Sequence, residues 1–337
     1  MPRIRCLLFA AMALTLPGAT DALAWNRTGH MLTALVAYDA LPDDRRHELV
    51  ALLRRHPRFN EDFVRQMPPS VTERADQDRW IFAQASTWPD IARGFKGQDR
   101  DRYHHSEWHY VNVPVWMGKP FTPASAPVRG PGASRRSAAP EQHIQEAFER
   151  SVAELRDPGR MPEVRAVALC WILHLVGDVH QPLHCAALFD EDWFPSGDKG
   201  GNSIPTAGQF RNLHSTWDSL LGEAESLTVQ TRKVMQLRTN AASMPRDPFP
   251  AAPADTEGAN RMGADAKIFA AWIAEGRDLA ERVAYGAEVR AGIEKSREDP
   301  EQGLVPIKLS KDYVETAKRL AEQRIVTGGD RLAGVLR

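Results

Sequence analysis

The segment 162–180 is apolar on nearly every side, and this property restricts the fold more than any other part of the sequence. A helix without a polar face packs at the centre of a protein, where other elements surround it. Its second half carries His174 and Asp178, four positions apart and therefore on one face of a helix. Burying an imidazole and a carboxylate is costly unless they bind something. The sequence therefore predicts a central helix that carries a pair of ligands.

A second pair with the same spacing, His214 and Asp218, lies in the segment 210–222, which also has a helical pattern. His184 follows the central segment after a Gln-Pro-Leu turn. One such pair is a weak signal, because it often only decorates a helix surface. Two pairs with a further histidine between them are much less expected by chance. Imidazole and carboxylate are ligands that zinc prefers. The pattern predicts a site that holds more than one zinc ion.

Helical periodicity dominates the rest of the chain. It predicts helices over 29–40, 41–53, 71–85, 141–156, 264–284 and 311–325. The segments 118–140 and 240–262 are rich in Pro, Ala, Gly and Ser and predict long surface loops. Weak alternation over 108–115 indicates a short hairpin. With no internal repeat and no clear boundary, the sequence predicts one mainly α domain with few short strands.

The first 24 residues have the pattern of a secretory signal peptide. Arg3 and Arg5 precede an apolar stretch too short to span a membrane, and Ala22-Leu-Ala24 is typical of a cleavage site. The alternative is an ordinary buried N-terminal helix. We expect cleavage between Ala24 and Trp25, a catalytic domain over 25–337, and a periplasmic or secreted protein without stable membrane association.

Charge and cysteine content limit the function further. The formal net charge of −1 provides no global basic field, which counts against an ordinary DNA-binding module. Removal of the signal would leave Cys170 and Cys185, which flank the central ligands. They could form a disulfide in an oxidising compartment or remain buried thiols. No protein partner is evident from the sequence.

The histidines divide into two sets. Five are candidate zinc ligands together with Asp90, Asp178 and Asp218: His30, His109, His174, His184 and His214. Six have a simpler interpretation as surface or supporting residues: His47, His56, His104, His105, His143 and His180. His180 follows Asp178 by two positions, which points it away from the ligand face of a helix. After cleavage the α-amino group of Trp25 is a further possible ligand.

The chain resembles the S1/P1 nuclease family, which is related to zinc-dependent phospholipase C. The resemblance covers nearly the whole chain after residue 24, in the same order. Its motifs are Trp25-Asn-Arg-Thr-Gly-His30, Trp88-Pro-Asp90, His109-Tyr-Val-Asn112, the stretch from His174 to His184, Gly197-Asp-Lys-Gly-Gly-Asn202 and Asn212-Leu-His214-Ser-Thr-Trp-Asp218.

The resemblance implies a phospholipase C/P1 nuclease-like helical fold with three Zn²⁺ ions. Carried over by position, the ligands of the first ion are Asp90, His109, His174 and Asp178. Those of the second are His184, His214 and Asp218. The third takes the amino nitrogen and carbonyl oxygen of Trp25, His30 and, as a bridge, Asp178. Asp90 and Asp178 would be catalytic through a hydroxide that the cluster holds between two ions.

The implied reaction is endonucleolytic cleavage of single-stranded DNA and RNA to 5′-phosphorylated products, with removal of phosphate from 3′-nucleotides. Tyr110 matches a position where the family stacks a base, although a core tyrosine is the alternative. Asn112 stands where some members carry a base-contacting Asp, which leaves base preference open. Asn202 would line the pocket, unless its turn is merely a tight one.

Two other functions fit parts of the pattern. A phospholipase C-like phosphoesterase shares the metal spacing, but typically has Glu as its last carboxylate, where this chain has Asp218. A non-catalytic, secreted zinc-binding protein would favour His-rich tracts, whereas the ligand candidates here are dispersed singly along the chain.

Overall fold

The computed structural model describes residues 25–121, 143–223, 226–243 and 260–337, and helices dominate it. The mainly α, single-domain fold predicted from the sequence is confirmed. Its helices are α1 Arg27–Ala40, α2 Asp43–Leu53, α3 Phe59–Asp62, α4 Arg74–Ala85, α5 Trp88–Ala92, α6 Gly97–Tyr103, α7 Ile144–Arg156, α8 Pro162–Val179, α9 Leu213–Asp218, α10 Leu227–Ser243, α11 Asn260–Leu279, α12 Ala287–Ser296 and α13 Lys311–Leu336. The strands are β1 Val113–Trp116 and β2 Ala186–Phe189.

Helix α8 lies at the centre of the fold, as its apolar sequence predicts. Every residue from 168 to 179 is buried. Helices α1, α2, α4, α5, α7 and α13 all pack against it. Pro162 begins the helix, where a missing N–H costs nothing, and the chain leaves it at His180. His174 and Asp178 therefore lie in the most completely enclosed part of the molecule.

Two adjacent glycines of α13 let this helix contact α1 and α8 at once. A Cβ atom at Gly328 would come within 3.1 Å of the His180 ring, and one at Gly329 would overlap Val36 of α1. Close backbone approach of this kind needs a residue without a side chain. Helix α13 thereby fixes the two helices that carry His30, His174 and Asp178.

His180 is buried and turned toward α13, away from the ligand face of α8. Its Nδ1 donates to the Val176 carbonyl at 2.7 Å, and Arg331 donates to its Nε2 at 3.0 Å. Burial and the charge of Arg324 hold the pKa of His180 well below its usual range. Glu275 pairs with both arginines and balances part of their charge. His180 thus has a structural role.

The expected hairpin over 108–115 is wrong. Strand β1 pairs in parallel with β2, with Val113 opposite Ala186 and Trp116 opposite Phe189. Parallel partners come from distant parts of the chain, so local alternation does not reveal them. The pairing begins where Val111 N donates to the His184 carbonyl at 2.8 Å. It therefore joins the segments that follow His109 and His184.

Several boundaries differ from the sequence prediction. The last helix continues from 325 to Leu336, and the described ends of the predicted loop 240–262 are helical. Helices α10 and α12 were not predicted. The signal-peptide segment 1–24 and most of the predicted loop 118–140 lie outside the described residues. Within the described ranges, no helix is long and apolar enough to cross a membrane.

The two cysteines that could have paired are separate in the structure. Cys170 and Cys185 are both buried free thiols. The Cys185 thiol packs against Gly276 and contacts the Val179 carbonyl at 3.3 Å. Burial raises the pKa of Cys185 to about 12, which makes the thiol unreactive.

Candidate metal centre

The described residues contain three groups of imidazole and carboxylate side chains that could hold a metal ion. In each group the candidate ligand atoms lie within 4.8 Å of one another. The groups are His30 with His174 and Asp178; Asp90 with His109 and His174; and His184 with His214 and Asp218. These eight residues are the side-chain ligand candidates of the sequence analysis.

Asp178 belongs to the first group and also contacts His109 of the second, and it directs its two oxygen atoms to different sides. Oδ1 is 3.3 Å from Nε2 of His30. Oδ2 is 3.1 Å from Nδ1 of His109 and 3.2 Å from Nε2 of His174. A carboxylate placed in this way can give one oxygen to each of two ions. This placement is compatible with a bridging ligand.

Gly177, inside the His174-to-Asp178 motif, lets α1 approach α8 at the site. A Cβ atom there would lie 2.7 Å from Nδ1 of His30. The His30 ring stacks on His174 instead, with the ring centroids 3.9 Å apart. Glycine at this position is thus what allows a ligand from the first helix to reach the central one.

We expect Gly177→Ala to move His30 out of its group, because a methyl group cannot fit beside the ring. Overpacking of this kind costs about 1–3 kcal/mol. The zinc content, measured by metal analysis, and the melting temperature, measured by thermal unfolding, should both fall. Gly334→Ala on α13 is the matched control, since its Cβ would meet nothing within 4 Å. Wild-type zinc content and stability in Gly177→Ala would show that the close approach is not needed.

The third group is oriented by main-chain carbonyls and by Gln181. His184 Nδ1 donates to the His109 carbonyl at 2.6 Å, and His214 Nδ1 donates to the Gly200 carbonyl at 2.5 Å. Each bond leaves Nε2 with its lone pair toward the group. Gln181 Nε2 donates to Asp218 Oδ1 at 2.8 Å. The sequence analysis missed this role of Gln181, although the residue stands inside the motif.

The histidine atoms that face the groups fit a metal. Nε2 of His184 and of His214 is buried and, within the described residues, has no hydrogen-bond partner. His109 directs Nδ1 toward its group, 3.1 Å from Asp178 Oδ2 and 2.8 Å from His174 Nε2. Buried polar atoms are normally satisfied. Burial lowers the pKa of His109 and of His214 to about 3, and it also lowers the pKa of His184. Neutral imidazoles with unused lone pairs are the form that zinc binds.

The carboxylates also favour a cation. Burial alone would raise the pKa of Asp178, but His174 and His184 hold it well below its usual range. Burial raises the pKa of Asp218 well above its usual range, against the hydrogen bond from Gln181. A bound cation would offset the cost of burying the charged form of Asp218.

Arg93 is a second residue that the sequence analysis missed. Its Nε lies 2.9 Å from Asp90 Oδ1, one turn away on the chain. Its charge also lowers the pKa of His109, His184 and His214, after the larger effect of burial. The positive charge of the guanidinium therefore acts on more than one of the groups. The i,i+3 spacing after Asp90 is the sequence signal that could have revealed it.

Trp25 begins the described chain, two residues before α1. Its side chain is fully buried, and the absence of a Cβ at Gly29 makes room for it. The next residue, Asn26, donates its main-chain N–H to the Asp218 carbonyl at 3.2 Å. Asn26 also caps α1, accepting from Gly29 N at 3.1 Å. These bonds hold the start of α1, and hence His30, against α9.

The three predicted substrate-contacting residues differ in their surroundings. Tyr110 and Asn112 are partly exposed, next to the buried ligand candidate His109. Tyr110 is therefore not a fully enclosed core residue. Asn202 is partly exposed, and its amide donates to the Lys199 carbonyl of its own turn at 2.8 Å.

The sequence matches the family described as S1/P1 Nuclease over residues 25–337. The chain belongs to the S1/P1 nuclease family. Among curated relatives of this S1/P1 family member, Endonuclease 4 of Arabidopsis thaliana is 36% identical over 69 residues. That match covers 20% of this chain and 20% of the length of the Arabidopsis protein. Membership agrees with the family resemblance on which the sequence analysis based its nuclease prediction.

Proposed function

We propose that the protein is a zinc-dependent endonuclease that hydrolyses single-stranded DNA and RNA to 5′-phosphorylated products and also removes phosphate from 3′-nucleotides. The observation that carries this proposal is the set of three His/Asp groups. In one of them the buried Nε2 atoms of His184 and His214 have no hydrogen-bond partner among the described residues. The family match supports the reaction class. We propose one zinc ion for each group.

Zinc ions bound here would activate water and polarise a phosphate oxygen. The residues of the chain have distinct tasks around that chemistry. His30, His109 and His174 would hold ions on both sides of Asp178, and Asp90 would complete the group nearest to Arg93. The guanidinium of Arg93 can bind a phosphate oxygen and offset the charge that develops there. With Trp25 as a further ligand, the proposed set is the one derived from the family motifs.

The burial of the groups supports selectivity for single strands. The side chain of Asp90 is 13% exposed, whereas His174 and Asp178 are fully enclosed. A duplex backbone is too rigid to reach groups at this depth, but a single strand can bend inward and stack a base on an aromatic ring. Tyr110 is partly exposed beside His109 and is proposed for that role. Asn112 and Asn202 are proposed to contact the base.

The test is a parallel product analysis of one zinc-loaded preparation. Substrates are single-stranded DNA, single-stranded RNA, a duplex of the same sequence, 3′-mononucleotides and phosphatidylcholine. We expect 5′-phosphorylated fragments from both single strands and phosphate from the 3′-nucleotides. Cleavage of phosphatidylcholine alone would support the phospholipase C-like alternative. Zinc binding without turnover of any substrate would support the non-catalytic one.

We further propose that residues 1–24 are removed and that the mature protein is periplasmic or secreted. A peptide bond before Trp25 would turn its basic amine into an amide, which cannot bind zinc. A protein with a protease-cleavable extension before Trp25 should therefore bind one zinc ion fewer and have little activity. Cleavage of the same sample should restore both. Equal zinc content and activity before and after cleavage would refute Trp25 as a ligand.

A further inference from the structure

Asp198 is a buried acid outside the proposed ligand set. It is 0% exposed and, among the described residues, forms no ion pair. Three donors hold its carboxylate instead: Leu188 N at 2.8 Å, Gly201 N at 2.7 Å and the Tyr285 hydroxyl at 3.0 Å. A buried carboxylate without a cation is costly even when hydrogen-bonded. An apolar residue at this position could not accept these three hydrogen bonds.

The three residues that follow Asp198 form an unusual turn. Lys199, Gly200 and Gly201 have φ values of 62°, 62° and 86°. A lysine in the left-handed region is strained, and it persists only where the surroundings enforce it. Asp198 holds the turn in this conformation in two ways. Its side chain accepts from Gly201 N, and its main-chain carbonyl accepts from Ser203 N at 3.0 Å. A Cβ at Gly200 would overlap the Leu183 carbonyl, so the turn also packs tightly from behind.

This turn orients the side chain of His214. The Gly200 carbonyl accepts from His214 Nδ1 at 2.5 Å, and the Gly201 carbonyl accepts from His214 N at 3.4 Å. The first bond selects the tautomer with its lone pair on Nε2, and both together fix the ring and its helix α9. A shift of the turn would therefore move His214 relative to His184 and Asp218.

Tyr285 reaches Asp198 through a second unusual piece of backbone. Residues Ala280–Ala284 form a π-helical turn after α11, closed by Tyr285 N donating to the Ala280 carbonyl at 2.7 Å. Such turns are rare and are concentrated at functional sites. This one delivers a fully buried hydroxyl to the Asp198 carboxylate.

We propose that Asp198 and Tyr285 are positioning residues for the group of His184, His214 and Asp218: they fix the turn from Lys199 to Asn202, whose Gly200 carbonyl orients the His214 ring. This inference rests on the proposed zinc binding. A buried acid, a lysine in the left-handed region and a π-helical turn are each energetically unfavourable. All three support the turn that orients one ligand candidate, His214.

The test is zinc titration of the chelator-treated protein, residues 25–337, against a chromophoric competitor. Tyr285→Phe removes only the phenolic hydroxyl. We expect one zinc ion to bind about 10- to 100-fold more weakly and the other ions to bind as in the wild type. In a His214→Ala background the same substitution should cause no further loss. Asp198→Asn, which keeps the size of the side chain, is the second variant and should weaken the same ion.

The matched control is Ser296→Ala on α12. Ser296 is also buried, and the substitution removes its hydrogen bonds with Gly292 and Val305, but it does not contact the turn. It should lower the melting temperature and leave every zinc affinity unchanged. The same result for Tyr285→Phe would reduce Tyr285 to a structural residue and overturn the inference. A wild-type protein that binds zinc but cleaves no nucleic acid would instead contradict the proposed function alone.

Discussion

Replacing Asp178 by alanine is expected to reduce nuclease activity by at least about a thousandfold, because its carboxylate contacts histidines of two of the three groups. Its oxygens lie 3.3 Å from His30 and 3.1 Å from His109, so no neighbouring side chain can replace both contacts. Metal analysis should show the loss of two ions and the retention of the one held by His184. Asp178→Asn, which keeps one acceptor oxygen, should have an intermediate zinc content.

Asp78→Asn is the control for this substitution. Asp78 is also a buried acid, but it pairs with Arg54 and Arg74 and belongs to none of the candidate ligand groups. It should lose stability without losing zinc or activity. Circular dichroism would be used to check that the Asp178 variants fold. Full zinc occupancy in a folded Asp178→Ala protein would exclude Asp178 as a bridging ligand.

Removing zinc with a chelator should abolish activity and destabilise the fold at the same time. Six of the eight side-chain ligand candidates come from α1, α5, α8 and α9, so the ions would tie together helices that are distant in sequence. A ligand present at a thousand times its dissociation constant stabilises the folded state by about 4 kcal/mol, and each ion would contribute on that scale. Thermal unfolding and cleavage of single-stranded DNA should be followed on the same samples.

The control for chelation is the same chelator already saturated with zinc, which should change neither measurement. Addition of Zn²⁺ to the depleted protein should restore both activity and melting temperature. If the depleted protein still cleaves single-stranded DNA at the full rate, the three groups are not the catalytic centre. If activity is lost while stability is kept, the ions do not hold the helices together.

Much of the site could be predicted from local spacing, because each of two helices carries a complete pair. His174 with Asp178 and His214 with Asp218 need only the repeat of an α-helix to share a face. His30, His109 and Asp90 are different. They reach the same place from three other parts of the chain, so their residue types marked them as candidate ligands but only the family resemblance assigned them to particular ions. Their grouping depends on close approaches, such as that of His30 to Gly177, that no periodicity encodes.

The missed features share a physical cause. The parallel pairing of β1 and β2, the contact of Gln181 with Asp218 and the position of Arg93 all depend on packing between distant segments. Helix α10 is an exception, because its buried residues Leu227, Gln230, Val234 and Leu237 recur at helical spacing. Helical periodicity in the sequence is therefore sufficient to predict α10.

The contact of α13 with α1 and α8 also bears on when the molecule can assemble during synthesis. Gly329 packs on Val36 and Gly328 on His180, so the first and last described helices must meet before the ligand-bearing helices are fixed. Contacts between segments so distant in sequence form late and slow the folding reaction. A nascent chain that has not yet reached Gly329 therefore lacks the packing that supports the ligand candidates at its own centre.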